Sequence, residues 1–489
     1  MMRAGRRSVL LLGALAGLSA ACRPEARGAA PAAPAPGGPD TGFTDDLRIP
    51  PLAPSTIDPD GARRFDLGLR ADGRSAFLPG RTTPTWGIDG DYLGPTVRVR
   101  TGERVRMTVT SALPERTSMH WHGMLLPARM DGGPHQPIEP GATWRPEWTI
   151  RQPAATLWYH PHAHGSTAVH VHRGLAGLLY VDDPGRAGLP DRYGVDDIPL
   201  ILQDRSFTPD GAFVEDGVDS GTYGLLGDTM LVNGVHRPRL RLGVRTVRLR
   251  ILNAANARVF HVGLADDRPF RVIGTDAGPL DRAVETTRVR LSPGERAEIV
   301  LTLAAGERVT LDSRGPADGT EPETGAFPLL LIEVATGAEP AAALPETPGP
   351  APEPFRDTGV VRRFRLDQLD INGRRGDPAR IDEVVPAGAH ETWEITNGPY
   401  AHSFHIHGAH FRVLATEGAA AGPKDTVFVP PGASLRLAVR FGTDTDPATP
   451  YMYHCHLLRH EDGGMSGQFV VVPPGTERQV SRSLPGHHH

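Results

Sequence analysis

The most informative segment of this chain is residues 454–465, with the sequence HCHLLRHEDGGM. Cys455 lies between two histidines, and His460 and Met465 follow it at intervals of five residues. One thiolate, two imidazoles and a distant thioether form the ligand set of a blue-copper electron-transfer site. In an extended strand, neighbouring side chains point to opposite faces. A metal on Cys455 would therefore be joined by a few covalent bonds to metals on the two flanking histidines.

Three further segments contain the pattern His-x-His, which places both imidazoles on one face of a strand. They are HWHG at 120–123, WYHPH at 158–162 and HSFHIHG at 402–408. With the pair around the cysteine they supply eight imidazoles in four pairs: His120, His122, His160, His162, His405, His407, His454 and His456. A separate set remains, consisting of His402, Cys455, His460 and Met465. Eight imidazoles can hold several copper ions and still leave positions open for oxygen.

These four segments, in this order and at the two ends of a chain of 489 residues, resemble the multicopper oxidases. Within that family the chain is most similar to bacterial laccases, copper-efflux oxidases and bilirubin oxidases. DTMLVNG at 228–234, KDTV at 424–427 and PPG at 430–432 also resemble the family. The resemblance spans about residues 45–475. It implies cupredoxin domains, bound copper and the reduction of dioxygen.

The resemblance also implies four copper ions and a place for each ligand. The type 1 copper would be bound by His402, Cys455 and His460, with Met465 as the weak axial ligand. The type 2 copper would be bound by His120 and His405. The two type 3 coppers would be bound by His122, His160 and His456, and by His162, His407 and His454. Electrons would enter at type 1, cross the cysteine to its flanking histidines, and reduce O2 to water.

Water formation also requires protons, and two carboxylates match positions that serve this purpose in related enzymes. Asp131 lies in MDGG at 130–133, and Glu461 follows His460 directly. A carboxylate beside the oxygen-binding site would orient water and relay protons as a general acid. The alternative is that Asp131 caps a turn before its two glycines and that Glu461 is a solvated loop residue. The spacing favours the functional role at both positions.

Composition and pattern predict an all-β protein built from three Greek-key β-sandwich domains, which the resemblance identifies as cupredoxin-like. The chain contains 57 glycines and 48 prolines, which favour turns and short strands. Several short runs alternate apolar and polar residues and predict half-buried strands, including TVRVR at 96–100, VRMTV at 105–109, TVRLRI at 246–251 and SLRLAV at 434–439. HVH at 170–172 repeats the His-x-His pattern, and we expect these histidines to support the ligands or to lie in an ordinary strand.

We predict the following segments along the chain: an export signal at 1–22, a flexible tether at 23–46, cupredoxin domain 1 at 47–185, domain 2 at 186–340, a linker at 341–356, domain 3 at 357–475 and a tail at 476–489. The ligands lie only in domains 1 and 3. The trinuclear site is therefore expected at their interface, since sites favour domain boundaries. Domain 2 would then act as a spacer and brace.

The N-terminus resembles an export signal. Arg6 and Arg7 precede an apolar run at 9–18 that is too short to span a bilayer, and they resemble a twin-arginine signal. SAAC at 19–22 resembles a lipoprotein cleavage box, which makes Cys22 a candidate for lipidation. We therefore predict an exported protein in the periplasm or at the cell surface, anchored to the membrane if Cys22 is lipidated.

The electron donor is less constrained by the sequence than the oxidase reaction. Copper-efflux relatives carry a methionine-rich segment, whereas this chain has nine methionines and no such cluster. NGPYA at 397–401 contains none of the carboxylates that cuprous-ion oxidases tend to place before the position of His402. We predict small aromatic donors such as phenols, oxidised through the edge of His402 or His460. Cuprous ion remains the alternative substrate, and a non-enzymatic structural relative is the alternative class.

The remaining partners follow from charge and from the family. The formal charge of −5 gives no indication of a nucleic-acid partner. O2 is the expected electron acceptor, and we expect a monomer.

Overall fold

The computed structural model describes residues 42–182, 188–215, 222–316, 320–322, 325–350 and 353–484. The predicted export signal, Cys22 and the last residues of the tail lie outside these ranges. Among the described residues, six β-sheets form three pairs, at 55–182, 197–339 and 361–472. The prediction of an all-β, cupredoxin-like fold is confirmed. The described residues between 340 and 360 form neither helix nor strand, as expected of a linker, and the domain boundaries themselves stay predictions.

The first pair of sheets encloses a core to which the alternating strands contribute one face each. Its strands are β1 (Ser55–Ile57), β2 (Arg63–Ser75), β3 (Thr83–Ile88), β4 (Val97–Arg100), β5 (Arg104–Ala112), β6 (His120–His122), β7 (Thr143–Trp144), β8 (Glu147–Thr149), β9 (Ala155–His160) and β10 (Gly177–Asp182). One sheet has the order β4-β10-β9-β6, and the other strands form the second sheet. On β5, Val105, Met107 and Val109 are fully buried in this core, as their alternation predicts.

The middle pair of sheets follows the same plan. Its strands are β11 (Asp197–Arg205), β12 (Thr229–Val232), β13 (Val235–His236), β14 (Arg239–Val244), β15 (Thr246–Asn253), β16 (Phe260–Leu264), β17 (Phe270–Thr275), β18 (Gly278–Thr286), β19 (Arg288–Leu291), β20 (Arg296–Thr302), β21 (Arg308–Arg314) and β22 (Ala326–Glu339). The sheets have the orders β13-β12-β11-β15-β20-β17-β18 and β14-β22-β21-β16-β19.

Strand β15 differs from the prediction because it is buried along its whole length, not on one face. Its polar face packs against the first pair of sheets, and the two arginines on that face are neutralised there. Arg248 pairs with Glu298 at 2.5 Å, and Arg250 pairs with Asp197 at 2.7 Å. The alternating arginines of β15 therefore form buried ion pairs at this interface, whereas the sequence pattern alone predicts a solvated face.

The third pair of sheets carries two of the four histidine-rich segments. Its strands are β23 (Val361–Asp367), β24 (Asp370–Ile371), β25 (Glu383–Pro386), β26 (His390–Asn397), β27 (His402–Ile406), β28 (Ala409–Val413), β29 (Thr426–Val429), β30 (Ser434–Phe441), β31 (Tyr451–Cys455) and β32 (Ser466–Val472). The sheets have the orders β24-β23-β26-β30-β28 and β25-β32-β31-β27-β29. Strands β27 and β31 are thus neighbours, which brings two of the four histidine segments together.

Two short helices, one from the first pair of sheets and one from the third, pack against each other. Helix α1 (Thr167–Arg173) follows β9, and helix α2 (Leu458–Asp462) follows β31. They pack through Ala168, Val171 and Leu458, which are all fully buried. The expectation of a strand at 170–172 was wrong, because a three-residue pattern does not distinguish a short helix from a strand. Short 3-10 helices lie at Ala128–Met130, Gly418–Ala421 and Glu477–Gln479. None of the described helices has the length and apolarity to cross a membrane.

Candidate metal centre

Strand pairing brings the four histidine segments to one place. His120 of β6 is paired with His160 of β9, and His405 of β27 is paired with His454 of β31. His120 and His122 lie within one strand, and the other three His-x-His pairs each continue just past a strand end. In all four pairs the two rings lie close together, with centroids 4.9–6.1 Å apart. The rings of His120 and His407 are stacked with centroids 4.0 Å apart, so the first and third pairs of sheets meet at these histidines.

The eight imidazoles form three triads, two of which share His122, and within each triad the ligand nitrogen atoms lie within 4.8 Å of one another. The triads are His120, His122 and His405; His122, His160 and His456; and His162, His407 and His454. The second and third have the same members as the two predicted type 3 sites, and the first contains both predicted type 2 ligands. All eight histidine residues are at most 1% exposed. Their role as copper ligands stays a prediction.

In His120 and His405, a hydrogen bond at Nδ1 fixes the ring so that Nε2 points towards the other histidines of the triad. The Nδ1 atom of His120 donates to the carbonyl of Asp131 at 2.9 Å, and that of His405 donates to the carbonyl of Asp425 at 2.8 Å. The Nε2 atoms of both rings are buried and have no hydrogen-bond partner among the described residues. Bare buried nitrogens are costly unless something occupies the space between them. These residues therefore fit a bound metal.

The third triad shows the same convergence. The Nε2 atom of His454 lies 3.1 Å from the Nε2 atoms of both His162 and His407. Nδ1 of His454 donates to the carbonyl of Cys455, and Nδ1 of His407 donates to Asp131. The Nε2 atoms of these two neutral rings therefore both carry lone pairs, and these lone pairs face each other. Burial lowers the pKa of His407 to about 3 and that of His454 well below its usual range. Neutral rings are the form that binds metal, and imidazole suits copper.

Both predicted carboxylates lie against these rings. Asp131 Oδ2 accepts from Nδ1 of His407 at 2.7 Å, and burial raises the pKa of Asp131 to about 6. Glu461 Oε1 and Oε2 each lie 3.3 Å from an Nδ1 atom, those of His162 and His454. Burial raises the pKa of Glu461 well above its usual value, and the side chain is 5% exposed. Glu461 is therefore not a solvated loop residue, whereas Asp131 both ends a 3-10 turn and contacts a ring.

The predicted type 1 set forms a second centre in the third pair of sheets. Cys455 Sγ lies 3.4 Å from Nδ1 of His402 and 3.5 Å from Nδ1 of His460. Met465 is fully buried nearby, and its carbonyl accepts from the N–H of Cys455 at 3.0 Å. Burial raises the pKa of Cys455 to about 12, so without a metal it is a protonated, inert thiol. A thiolate with two imidazoles and a thioether suits copper.

The histidines of the type 1 set are shielded from solvent, which the sequence did not indicate. His402 is fully buried, and His460 is 1% exposed. The Nε2 atom of His460 donates to the carbonyl of Thr222 at 2.7 Å, and the Tyr223 ring lies 6.3 Å from the imidazole. Tyr400, which is partly exposed, makes an edge-on contact with Tyr223 at 6.4 Å. Nothing in the sequence around Thr222 marks it, because its contact spans 238 residues.

A buried ion pair beside the triads was also missed. Asp425, within the KDTV segment, lies against His122 and is paired with Arg296 of the middle pair of sheets. Burial by itself would raise the pKa of Asp425, but the Arg296 guanidinium holds it well below its usual value. The family-like KDTV segment was the available signal for Asp425, and no signal pointed to Arg296.

Sequence comparison now decides the family. Two family models, both described as multicopper oxidase, match residues 71–186 and 346–475. The multicopper oxidase mco of Staphylococcus haemolyticus is 34% identical over 445 residues, which cover 88% of this chain and 93% of that protein. The chain belongs to the multicopper oxidase family.

Other relatives of this multicopper oxidase differ in their described roles. The laccase-like multicopper oxidase CueO of the lignin-degrading bacterium Ochrobactrum sp. has a solved structure with a TM-score of 0.79 and 37% identity, covering 87% of this chain and 100% of that chain. That protein has oxidase activity towards lignin model compounds and lignosulfonate. The cell division protein FtsP of Edwardsiella tarda is 38% identical over 418 residues, which cover 81% of this chain and 88% of that protein. Family membership thus supports oxidoreductase chemistry with copper and O2 and leaves the electron donor open.

Proposed function

We propose that this protein is a laccase-like oxidase that couples the one-electron oxidation of small aromatic donors to the four-electron reduction of O2 to water. The copper ions, one type 1, one type 2 and a type 3 pair, would supply the redox chemistry. The observation that carries the proposal is the position of Cys455. Its Sγ belongs to one donor set, while His454 and His456, its neighbours in sequence, belong to two of the imidazole triads. One residue therefore connects an electron-entry set to an oxygen-reducing set.

The protein's own groups would handle the protons. Asp131 is buried against His407, and Glu461 is buried against His162 and His454, so each member of the third triad contacts a carboxyl group. Carboxyl groups with raised pKa values can hold a proton near neutral pH and release it locally. Their contacts with ring Nδ1 atoms also fix the rings, so each carboxyl would orient ligands as well as move protons.

The choice of aromatic donors rests on what surrounds the type 1 set. Tyr223 contacts the His460 ring, Tyr400 contacts Tyr223, and both tyrosines are partly exposed. Aromatic rings favour stacking or edge contacts with other rings. The similarity to a laccase-like enzyme active towards lignin model compounds supports the same class of donor. Cuprous ion is the second candidate, because the binding of this soft ion does not require a methionine-rich lid.

A structural, non-enzymatic role is the alternative class, and the similarity to FtsP is its support. Against it stands the full ligand set. All twelve predicted ligands are present, and the eleven His and Cys residues among them converge in four groups. A protein that had abandoned copper would be under no constraint to keep bare nitrogens buried.

The deciding experiment measures copper content, visible absorption and O2 uptake on copper-loaded protein, with a phenol and with cuprous ion as separate donors. Four coppers per chain, a blue band and faster O2 uptake with the phenol are expected. Faster uptake with cuprous ion would transfer the assignment to metal oxidation. A colourless protein without bound copper would favour the structural role.

For localisation we propose export as a folded monomer. The support is the Arg6-Arg7 signal and the SAAC segment, both of which lie outside the described residues. Lipidation of Cys22 is part of this proposal. Mass spectrometry of the mature N-terminus tests it, since a chain that begins after Cys22 excludes the anchor.

A further inference from the structure

Arg296 stands at the junction of all three pairs of sheets. It is the first residue of β20, and its side chain is fully buried. Its two Nη atoms donate to the two carboxylate oxygens of Asp425 at 2.8 and 2.5 Å. Its other three N–H groups donate to the carbonyls of Thr156, Gly294 and Asp276 at 2.8–2.9 Å. All five donors of the guanidinium are used, so its position is fixed from every side.

Asp425, which is held in place by Arg296, also contacts the ring of His122. The carboxylate Oδ1 lies 3.1 Å from Nε2 of His122, and the Thr426 hydroxyl lies 3.0 Å from the same nitrogen. An ionised carboxylate only accepts hydrogen bonds, so the proton of the neutral ring must be on Nε2. Nδ1 of His122 then carries the lone pair, and it faces Nε2 of His160 at 3.4 Å.

His122 is unusual among the rings in this respect. Its neighbours His120, His160 and His405 use Nδ1 for an outer hydrogen bond and direct Nε2 inwards. His122 has the opposite arrangement, and among the described residues it is the acceptor pair at Nε2 that imposes it. Without that pair either nitrogen could carry the proton, since the two tautomers of a free ring differ little in energy.

The chain also leaves room for the ion pair. Gly123, which follows His122, has φ of +85°, and a methyl group there would fall on the Asp425 carboxylate and 2.7 Å from Nη2 of Arg296. Gly294 of the middle pair of sheets packs its backbone against the His456 and His122 rings, where a methyl group would approach to 3.1 and 3.2 Å. A side chain at Gly123 would therefore displace the ion pair, and one at Gly294 would crowd the two rings.

We propose that Arg296 is a positioning residue for the trinuclear copper site, acting through Asp425 to hold His122 with Nδ1 towards the metal. The middle pair of sheets, which contributes no ligand, would thereby take part in assembling the site, and it is more than a spacer and brace. This inference rests on the proposed function, because it assumes that the triads bind copper. It concerns one ring only and leaves the type 1 set untouched.

A second ion pair in the same interface provides a matched control. Arg250 and Asp197 are fully buried and joined by two hydrogen bonds of 2.7 and 2.8 Å. Arg250 also reaches Thr156, through its hydroxyl at 3.3 Å. No contact among the described residues joins Asp197 to a histidine. The two pairs thus share burial, geometry and location, and only Asp425 contacts a triad ring.

The test compares copper-loaded, full-length Arg296→Lys and Asp425→Asn with Arg250→Lys and Asp197→Asn. Copper per chain, the blue band of the Cys455 site and copper retention against a chelator are measured for each. Arg296→Lys and Asp425→Asn should keep the blue band but hold the other coppers about 10- to 100-fold more weakly. The control variants should keep both properties. A crystal structure of Arg296→Lys should show the His122 ring turned.

Each other outcome contradicts the inference in a recognisable way. Equal copper retention in the Arg296 and Arg250 variants would mean that the ion pair has only a structural role. If Arg296→Lys and Asp425→Asn both fail to fold while the controls fold, the ion pair likewise has only a structural role. A wild-type chain that takes up no copper would refute the proposed function itself, and the inference with it.

Discussion

Asp131 and His407 are joined by a 2.7 Å hydrogen bond between segments that lie 276 residues apart in the chain. The same aspartate offers its carbonyl to His120, so one residue supports a ring from each end of the sequence. Its carboxyl group is 3% exposed and its pKa is raised to about 6 by burial. Asp131 thus makes an orienting contact with His407, and its raised pKa supports the proton-relay role proposed for it.

Replacing Asp131 with Asn should slow the reoxidation of reduced enzyme by O2 about 100-fold, because an amide cannot deliver the proton. Reduction of the type 1 site by donor should be unchanged. Stopped-flow absorption separates the two steps: bleaching of the blue band without O2, and its return when O2 is added. Return at the wild-type rate would reduce Asp131 to a turn residue.

Cys455→Ser should abolish the blue band and O2 uptake while the fold survives. The hydroxyl is close in size to the thiol, but a weakly acidic alcohol does not replace a thiolate ligand. Circular dichroism and the thermal midpoint of the metal-free variant should match those of the metal-free wild type. Turnover that persists in Cys455→Ser would overturn the proposed electron route.

Asp462 is expected to fasten α2 to α1. Its two carboxylate oxygens accept from the N–H groups of Thr167 and Ala168 at 2.9 and 2.8 Å, which is the bonding of a helix cap supplied from another segment. Asp462→Ala should therefore lower stability by about 1–2 kcal/mol. The measurement is the thermal midpoint, with the exposed Asp45→Ala as control. Equal midpoints for the two variants would show that the contact contributes nothing.

Gly132 and Gly102 form a natural pair for testing backbone constraint. Both have positive φ, of +81° and +85°, but a methyl group at Gly132 would collide with the carbonyl of Met119, whereas none of the described atoms lies within 4 Å at Gly102. Gly102→Ala should cost only the left-handed penalty, about 1–2 kcal/mol. Gly132→Ala should cost clearly more and should disturb copper retention, because Gly132 follows Asp131. Similar chemical denaturation midpoints for both would contradict this.

The parts of the centre that the sequence predicted are those fixed by local geometry. A His-x-His pair in a strand presents both rings to one side whatever the rest of the chain does, so the eight imidazoles and the Cys455 set could be recognised in advance. Spacing also singled out Asp131 and Glu461. The alternation on β5 predicted its buried face for the same reason.

The parts that the sequence did not predict depend on how the three pairs of sheets dock. His122 meets Asp425 across 303 residues, and Arg296 meets Asp425 across 129. The arginines of β15 look like a solvated face until the first pair of sheets covers them. His460 donates a hydrogen bond to the main-chain carbonyl of Thr222. Because every residue has such a carbonyl, the residue type at 222 does not indicate this contact.

Each imidazole triad combines residues numbered below 163 with residues numbered above 404. The ribosome synthesises the chain from the N-terminus. The triad histidines numbered below 163 are therefore made long before those numbered above 404. A growing chain therefore cannot complete any triad before it has passed residue 405, and copper loading of the triads, as proposed above, would follow the docking of the first and third pairs of sheets. The ion that performs the chemistry would then also report that assembly is complete.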